Sequence, residues 1–165
     1  MAMANDRLYI SVIGAGVGDA RAQELASEVG RRIAGAGAVL VCGGMGGVME
    51  AACRGARQAG GSTLGILPGL DRGEGNPYLD FTVLTGIGHA RNLAVASSGD
   101  AVIAVGGEFG TLSEIGLARQ AGRPVILLDS WQLRRHGALP TGVSEAASPG
   151  EAVEQAIRLA AAGRS

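Results

Sequence analysis

Val102-Ile103-Ala104-Val105-Gly106-Gly107-Glu108-Phe109-Gly110-Thr111-Leu112-Ser113-Glu114 reads as strand, turn and helix in thirteen residues. Four apolar residues without a polar break suit a strand buried on both faces of a parallel sheet. The glycines that follow let the chain turn sharply and bring its backbone close to a ligand. Thr111 and Ser113 then open a segment whose apolar residues, Leu112, Ile115, Leu117 and Ala118, have helical spacing. A helix that starts from such a turn has unpaired N–H groups in its first turn and its dipole behind them. That combination attracts an anion, most often a phosphate. The plain alternative is a tight strand-to-helix turn that binds nothing.

The same pattern recurs on both sides. Residues 8–13 form an apolar, β-branched strand that ends in Gly14-Ala15-Gly16-Val17-Gly18-Asp19. This is close to the dinucleotide fingerprint, with Asp19 where the third glycine belongs. A helix follows over 20–34, with Ala22, Leu25, Val29 and Ile33 on one face. Residues 38–42 form the second strand. In an NAD site an acidic residue closes this strand and holds the ribose hydroxyls. Here the strand runs into Gly43-Gly44-Met45-Gly46-Gly47, which argues against an NAD dehydrogenase and supplies a second glycine-rich turn. The next helix, 48–59, turns Met49, Ala52, Cys53 and Ala56 inward and has Glu50 in its first turn, where it offsets the helix dipole.

Residues 62–67 are a third strand. The polar segment 68–79 is long enough for a lid or a binding loop. A short strand at 81–84 leads through Gly86 and Gly88 into a helix that carries His89, Arg91 and Asn92 and runs to 98. After the central strand and its helix, residues 124–128 form another buried strand. Residues 129–139 are irregular and hold Trp131, and 143–146 form an edge strand. Ser148-Pro149-Gly150-Glu151 is a capping box with proline at the first helical position. It opens a last helix over 149–162 that packs through Val153, Ala156, Ile157 and Ala160. Alternating strands and helices predict an α/β fold, a three-layer Rossmann-like parallel sheet of six or seven strands with helices on both faces. Residues 1–165 are expected to form a single domain, with 1–6 disordered. The loops that follow the strands share the carboxyl edge of the sheet, where ligands bind in such folds.

Composition narrows the function. Of 165 residues, 47% are hydrophobic and only 3% aromatic, so the core is built from Val, Ile, Leu and Ala. Glycine numbers 29, well above the usual share of roughly 7%. A net charge of −1 gives no electrostatic case for nucleic acid or an anionic membrane. No signal peptide or spanning segment is read, and the expected location is cytoplasmic. Cys42 and Cys53 lack metal-ligand spacing and read as reduced, partly buried thiols. The chain has no lysine; all 14 basic residues are arginine. This excludes a Schiff base to pyridoxal phosphate and a P-loop of the GKT type.

Arg91 and Glu114 are the candidate catalytic pair. Each lies near the start of a helix at the sheet edge, and an arginine there can clamp a phosphate with two hydrogen bonds. If Thr111 is the N-cap, Glu114 occupies the third helical position and a capping box accounts for it. For Arg91 the alternative is a solvated surface arginine. There is no GxSxG elbow, and with only His89 and His136 neither a catalytic triad nor a His/Cys metal centre is expected. Glu50, Glu108 and Glu114 have no spacing that demands a metal ion.

An ordered set of motifs adds to this reading. It comprises Gly43-Gly44 with Gly47-Val48-Met49-Glu50-Ala51-Ala52, Gly60-Gly61 leading to Gly65-Ile66-Leu67-Pro68, and Asn76-Pro77-Tyr78. Thr85-Gly86 with Ala90-Arg91-Asn92 follows, then Gly106-Gly107 with Gly110-Thr111-Leu112-Ser113-Glu114. Together they cover residues 10–128, and in that order they resemble the Lonely Guy (LOG) and molybdenum-cofactor-carrier-like group of Rossmann-type proteins. The lysine decarboxylase label often attached to this group does not fit a chain without lysine.

The resemblance implies a nucleotide-binding fold and a homo-oligomer, dimer or tetramer. In LOG enzymes a PGGxGTxxE motif holds the phosphate of a nucleoside monophosphate, and an arginine and a glutamate serve hydrolysis of the base–ribose bond. By position these are Arg91 and Glu114. The ligand contacts that follow are Gly14 and Gly16 after the first strand, and Gly43, Gly44, Gly47 and Met49 after the second. Asn92 joins them beside Arg91, as do Gly106, Gly107, Glu108, Phe109, Gly110 and Thr111 in the central turn. Gly106 stands where the motif has proline, Glu108 where it has its second glycine, and Asn92 where LOG enzymes typically carry lysine. These departures lean toward the carrier-like branch.

Of three candidate functions the hydrolase is the expected one, and the other two are alternatives to it. One is a LOG-like nucleoside 5'-monophosphate phosphoribohydrolase. Another is a non-catalytic carrier of a phosphorylated ligand such as molybdenum cofactor or a nucleotide. The third is a nucleotide sensor. No required cofactor is expected, and no nucleic-acid or membrane partner.

Overall fold

The computed structural model describes residues 7–164; the expectation for residues 1–6 lies outside them. Seven strands form one parallel sheet: β1 (Tyr9–Gly14), β2 (Val39–Cys42), β3 (Ser62–Leu67), β4 (Phe81–Leu84), β5 (Ala101–Val105), β6 (Val125–Leu128) and β7 (Val143–Ala146). Among the described residues five α-helices accompany them, four between strands and the last after β7: α1 (Ala20–Gly35), α2 (Val48–Gln58), α3 (Asn92–Ser98), α4 (Phe109–Gln120) and α5 (Pro149–Ala162). The strand order is β4-β3-β2-β1-β5-β6-β7, an α/β Rossmann-like sheet.

Successive strand residues point to opposite faces, and the apolar strands fill both. Ile10, Val12, Leu40, Ile103 and Val105 meet α1, α2 and α5 on one face. Ile13, Val41, Val102 and Ala104 meet α3 and α4 on the other. The α1–α2 contact depends on two glycines. A methyl on Gly30 would stand 1.9 Å from the Ala52 carbonyl oxygen, and one on Gly55 would stand 1.9 Å from that of Ser27. The helices therefore touch backbone to backbone.

Element boundaries lie close to those expected, with two differences that matter at the site. The segment carrying His89 and Arg91 is a 3-10 turn, Gly88–Arg91, and α3 starts only at Asn92. The helix after the central strand starts at Phe109, two residues before Thr111. The last helix is capped as expected. The Ser148 hydroxyl accepts from the Glu151 N–H, and the Glu151 carboxylate accepts from the N–H of Ala147. Cys42 and Cys53 are free thiols, fully rather than partly buried, with their Sγ atoms 3.4 Å apart. Among the described residues no helix is long and apolar enough to cross a membrane.

Candidate functional site

The chain steps outward from β1 through β2 and β3 to β4, then returns to add β5 on the other side of β1. The strand order thus reverses between β1 and β5, and a crevice opens beyond their carboxyl ends. A cleft of about 630 Å³ lies there. The turn after β1 lines it with Gly14, Gly16 and Val17, and the turn after β2 with Met45, Gly46 and Met49. His89, Arg91 and Asn92 from the turn into α3, and Glu108, Gly110, Thr111 and Glu114 from the start of α4, complete the lining. This volume suits a small organic ligand of nucleotide size. Two further clefts, beside Arg134 and Glu145 and between α1 and α5, lie away from the glycine turns.

The turn after β5 reverses through two consecutive glycines in the left-handed region, Gly106 at φ 56° and Gly107 at φ 108°. Because the reversal is complete by residue 107, α4 starts early. Its N-cap is Glu108, whose side chain makes no capping hydrogen bond. The first-turn N–H groups of α4 therefore remain open to a ligand. Thr111 is buried at the third helical position and Glu114 falls in the second turn. The capping-box account of Glu114 is thereby corrected, since its carboxyl is beyond reach of the helix start and lines the cleft instead.

Arg91 is buried too, at 8% exposure, so the solvated-surface alternative does not hold. Its guanidinium lies over Gly43, where a methyl would stand 2.6 Å from Nη1. Nη1 donates to Asn92 Oδ1 at 2.7 Å, while Nε is buried without a protein acceptor. Burial lowers the Arg91 pKa, opposed by the charges of Glu114 and Cys42. Burial likewise pushes the Glu114 carboxyl up to about 7, against the pull of the Arg91 charge.

The Glu114 shift makes stability depend on pH. Between the ordinary carboxyl range and about 7 the unfolded chain has lost this proton and the folded one keeps it. Stability from this group is therefore greatest in acid, falls as pH rises through that window, and is level above it. Glu114→Gln should remove that fall. Chemical denaturation at pH 5 and pH 8 checks it, with a difference between the proteins on the order of 3 kcal/mol.

Of the residues expected at the site, Gly14, Gly16, Met49, Arg91, Asn92, Glu108, Gly110, Thr111 and Glu114 line one cleft. Gly43, Gly44, Gly47, Gly106 and Gly107 lie in the turns that border the cleft but do not line it. Phe109 turns away and packs on Trp131, ring centroids 5.4 Å apart. Sequence reasoning left out Ala15, Val17, Met45, Gly46, Pro68, Gly88 and His89, which also line the cleft. They flank motifs already singled out, and extending each glycine turn by a residue would have found most of them.

The profile of the SLOG cluster4 family matches residues 7–157. This chain belongs to the SLOG cluster4 family. The molybdenum cofactor binding protein of Rippkaea orientalis superposes with a TM-score of 0.85 at 34% identity, over 94% of this chain and 99% of that one. The molybdenum cofactor carrier protein of Chlamydomonas reinhardtii gives 0.79 at 32% identity, again over 94% and 99%. The cytokinin riboside 5'-monophosphate phosphoribohydrolase of Mycobacterium tuberculosis is 34% identical over 121 residues, 66% of this chain and 63% of that protein. As a SLOG cluster4 protein the chain thus has relatives named for binding and a relative named for hydrolysis.

Proposed function

We propose that this protein is a nucleoside 5'-monophosphate phosphoribohydrolase. The observation that carries the reading is the buried Glu114 carboxyl, poised near pH 7 and sharing a ligand-sized cleft with Arg91. Burying an acid and a guanidinium costs free energy, and groups perturbed in this way inside a cleft cluster at functional sites. In this reading the turn of Gly107, Glu108, Phe109, Gly110 and Thr111 receives the phosphate. The bond between ribose C1' and the base nitrogen breaks, a water oxygen bonds to C1', and the water's proton ends on the leaving base. Positive charge builds on the sugar as the bond stretches, and the ionised Glu114 stabilises it and orients the water. Arg91 orients the nucleotide and assists the leaving base. The similarity to the Mycobacterium tuberculosis enzyme supports this reading.

A second reading, a carrier of a phosphorylated ligand such as molybdenum cofactor, is favoured by Glu108. Glu108 lines the cleft where the hydrolase motif has a glycine, and the likeness to the two molybdenum cofactor proteins covers 94% of this chain and 99% of each of theirs. Incubation with AMP separates the two. The hydrolase releases adenine and ribose 5-phosphate in equal amounts; the carrier leaves AMP intact, and denaturing the freshly purified protein releases its cargo.

Self-association belongs to the same reading. On the α3 side of the sheet Phe81, Val83 and Leu93 are exposed and apolar beside Ile66. Sedimentation velocity of the wild type and of Phe81→Glu is expected to show an oligomer that the substitution dissociates.

A further inference from the structure

After β6 the chain leaves the sheet through Asp129, which adopts φ 49°, a conformation that non-glycine residues seldom take. Arg21 of α1 holds the Asp129 carboxylate at 2.7 Å. This sharp exit sets Ser130 and Trp131 beside the turn after β5. The Ser130 hydroxyl donates to the Gly106 carbonyl, and Trp131 Nε1 donates to the Glu108 carbonyl at 3.2 Å.

We propose that Ser130 and Trp131 are positioning residues that hold the peptides bearing the Gly107 and Phe109 N–H groups at the edge of the cleft and so set its affinity for a phosphate. The inference rests on the reading of this cleft as a phosphate site. The captured Gly106 carbonyl points toward the β6 side of the turn, whereas the Glu108 carbonyl also accepts the N–H of Leu112 as the first hydrogen bond of α4. In a trans peptide the N–H lies opposite to the C=O of the same unit. The N–H of Gly107, which shares a peptide with the Gly106 carbonyl, therefore points away from β6. The N–H of Phe109, which shares one with the Glu108 carbonyl, points back out of the start of α4, and Trp131 adds a second hold on that peptide. Away from β6 means toward β1, where Gly14 and Gly16 line the cleft. Two consecutive glycines have little conformational preference of their own, so the Gly106–Gly107 peptide needs an outside partner to keep its plane in place. The Trp131 ring adds a third restraint by packing on Phe109 and keeping that side chain out of the ligand space. A preset array of donors binds an anion better because its ordering precedes the encounter.

The test is calorimetric titration with AMP and with adenosine, which lacks the phosphate. Trp131→Phe keeps a ring against Phe109 and loses the N–H; Ser130→Ala loses the hydroxyl, and Ser130→Thr restores one. The two deleting variants are expected to bind AMP roughly five- to tenfold more weakly, with adenosine affinity and melting temperature nearly unchanged. Ser130→Thr should bind AMP as the wild type does. Trp131 is the only tryptophan, so AMP and inorganic phosphate should shift the wild-type fluorescence while adenosine does not. Equal weakening of AMP and adenosine, or no weakening of either, overturns the positioning role. A wild type that binds AMP no better than adenosine removes the phosphate site, and the positioning role with it.

Discussion

Glu114→Gln is expected to lower kcat for AMP hydrolysis by about 10²–10⁴-fold while leaving the Kd for AMP within about threefold. The amide keeps the shape and burial of the carboxyl and loses its negative charge. It can still fill the space behind the sugar, but it cannot balance positive charge as the base departs. Arg91→Ala is expected to behave differently and raise Kd as well, because its guanidinium lies in the cleft with Nε unpaired. The pH profile gives an independent check. Burial pushes Glu114 up to about 7, so the active carboxylate grows in as pH rises, and kcat/KM should climb through that range and level above it. Glu114→Gln should show no such climb. Quenched time courses with separation of adenine from AMP supply both numbers.

The largest stability effect is expected at the α1–α2 contact. Gly30→Ala and Gly55→Ala each place a methyl 1.9 Å from a carbonyl oxygen of the facing helix. No rotamer can relieve a Cβ clash with backbone, so the helices must move apart. That movement opens the packing around Ala26, Val29, Ala52 and Ala56, all buried. Each substitution should cost about 3 kcal/mol and lower Tm by about 6–12 °C. Gly116 supplies the contrast. It lies within α4, is exposed, and a methyl there meets nothing within 4 Å. Gly116→Ala should therefore stabilise by about 0.5–1 kcal/mol through helix propensity. Thermal melts of the three variants check the sign at each position.

Much of the fold was legible because its signals are local. Unbroken apolar runs such as 102–105 and 125–128 allow little besides buried parallel strands, and the glycine clusters after residues 13, 42 and 105 mark where those strands turn. The Rossmann-like sheet and the sheet edge that bears the site follow from these. The start of α4 was less legible. Thr111 and Ser113 both look like caps, and only the conformation of Gly106 and Gly107 shows that the helix has already begun at Phe109. That shift moves Glu114 from a capping position into the cleft. The seating of Arg91 on Gly43 was also hidden, because it joins residues 48 positions apart through a backbone surface that carries no side-chain pattern. The contacts from Ser130 and Trp131 to the turn were hidden for the same reason. They come from an irregular segment, and no periodicity places its side chains.

The most direct test of the hydrolytic reading is to incubate the wild-type protein with a panel of nucleoside 5'-monophosphates in ¹⁸O-labelled water and analyse the products by mass spectrometry. The account predicts that at least one member yields equal amounts of free base and ribose 5-phosphate, with the label on the ribose and none on the phosphate. Recovery of every nucleotide intact, from a folded protein that binds them, would contradict it.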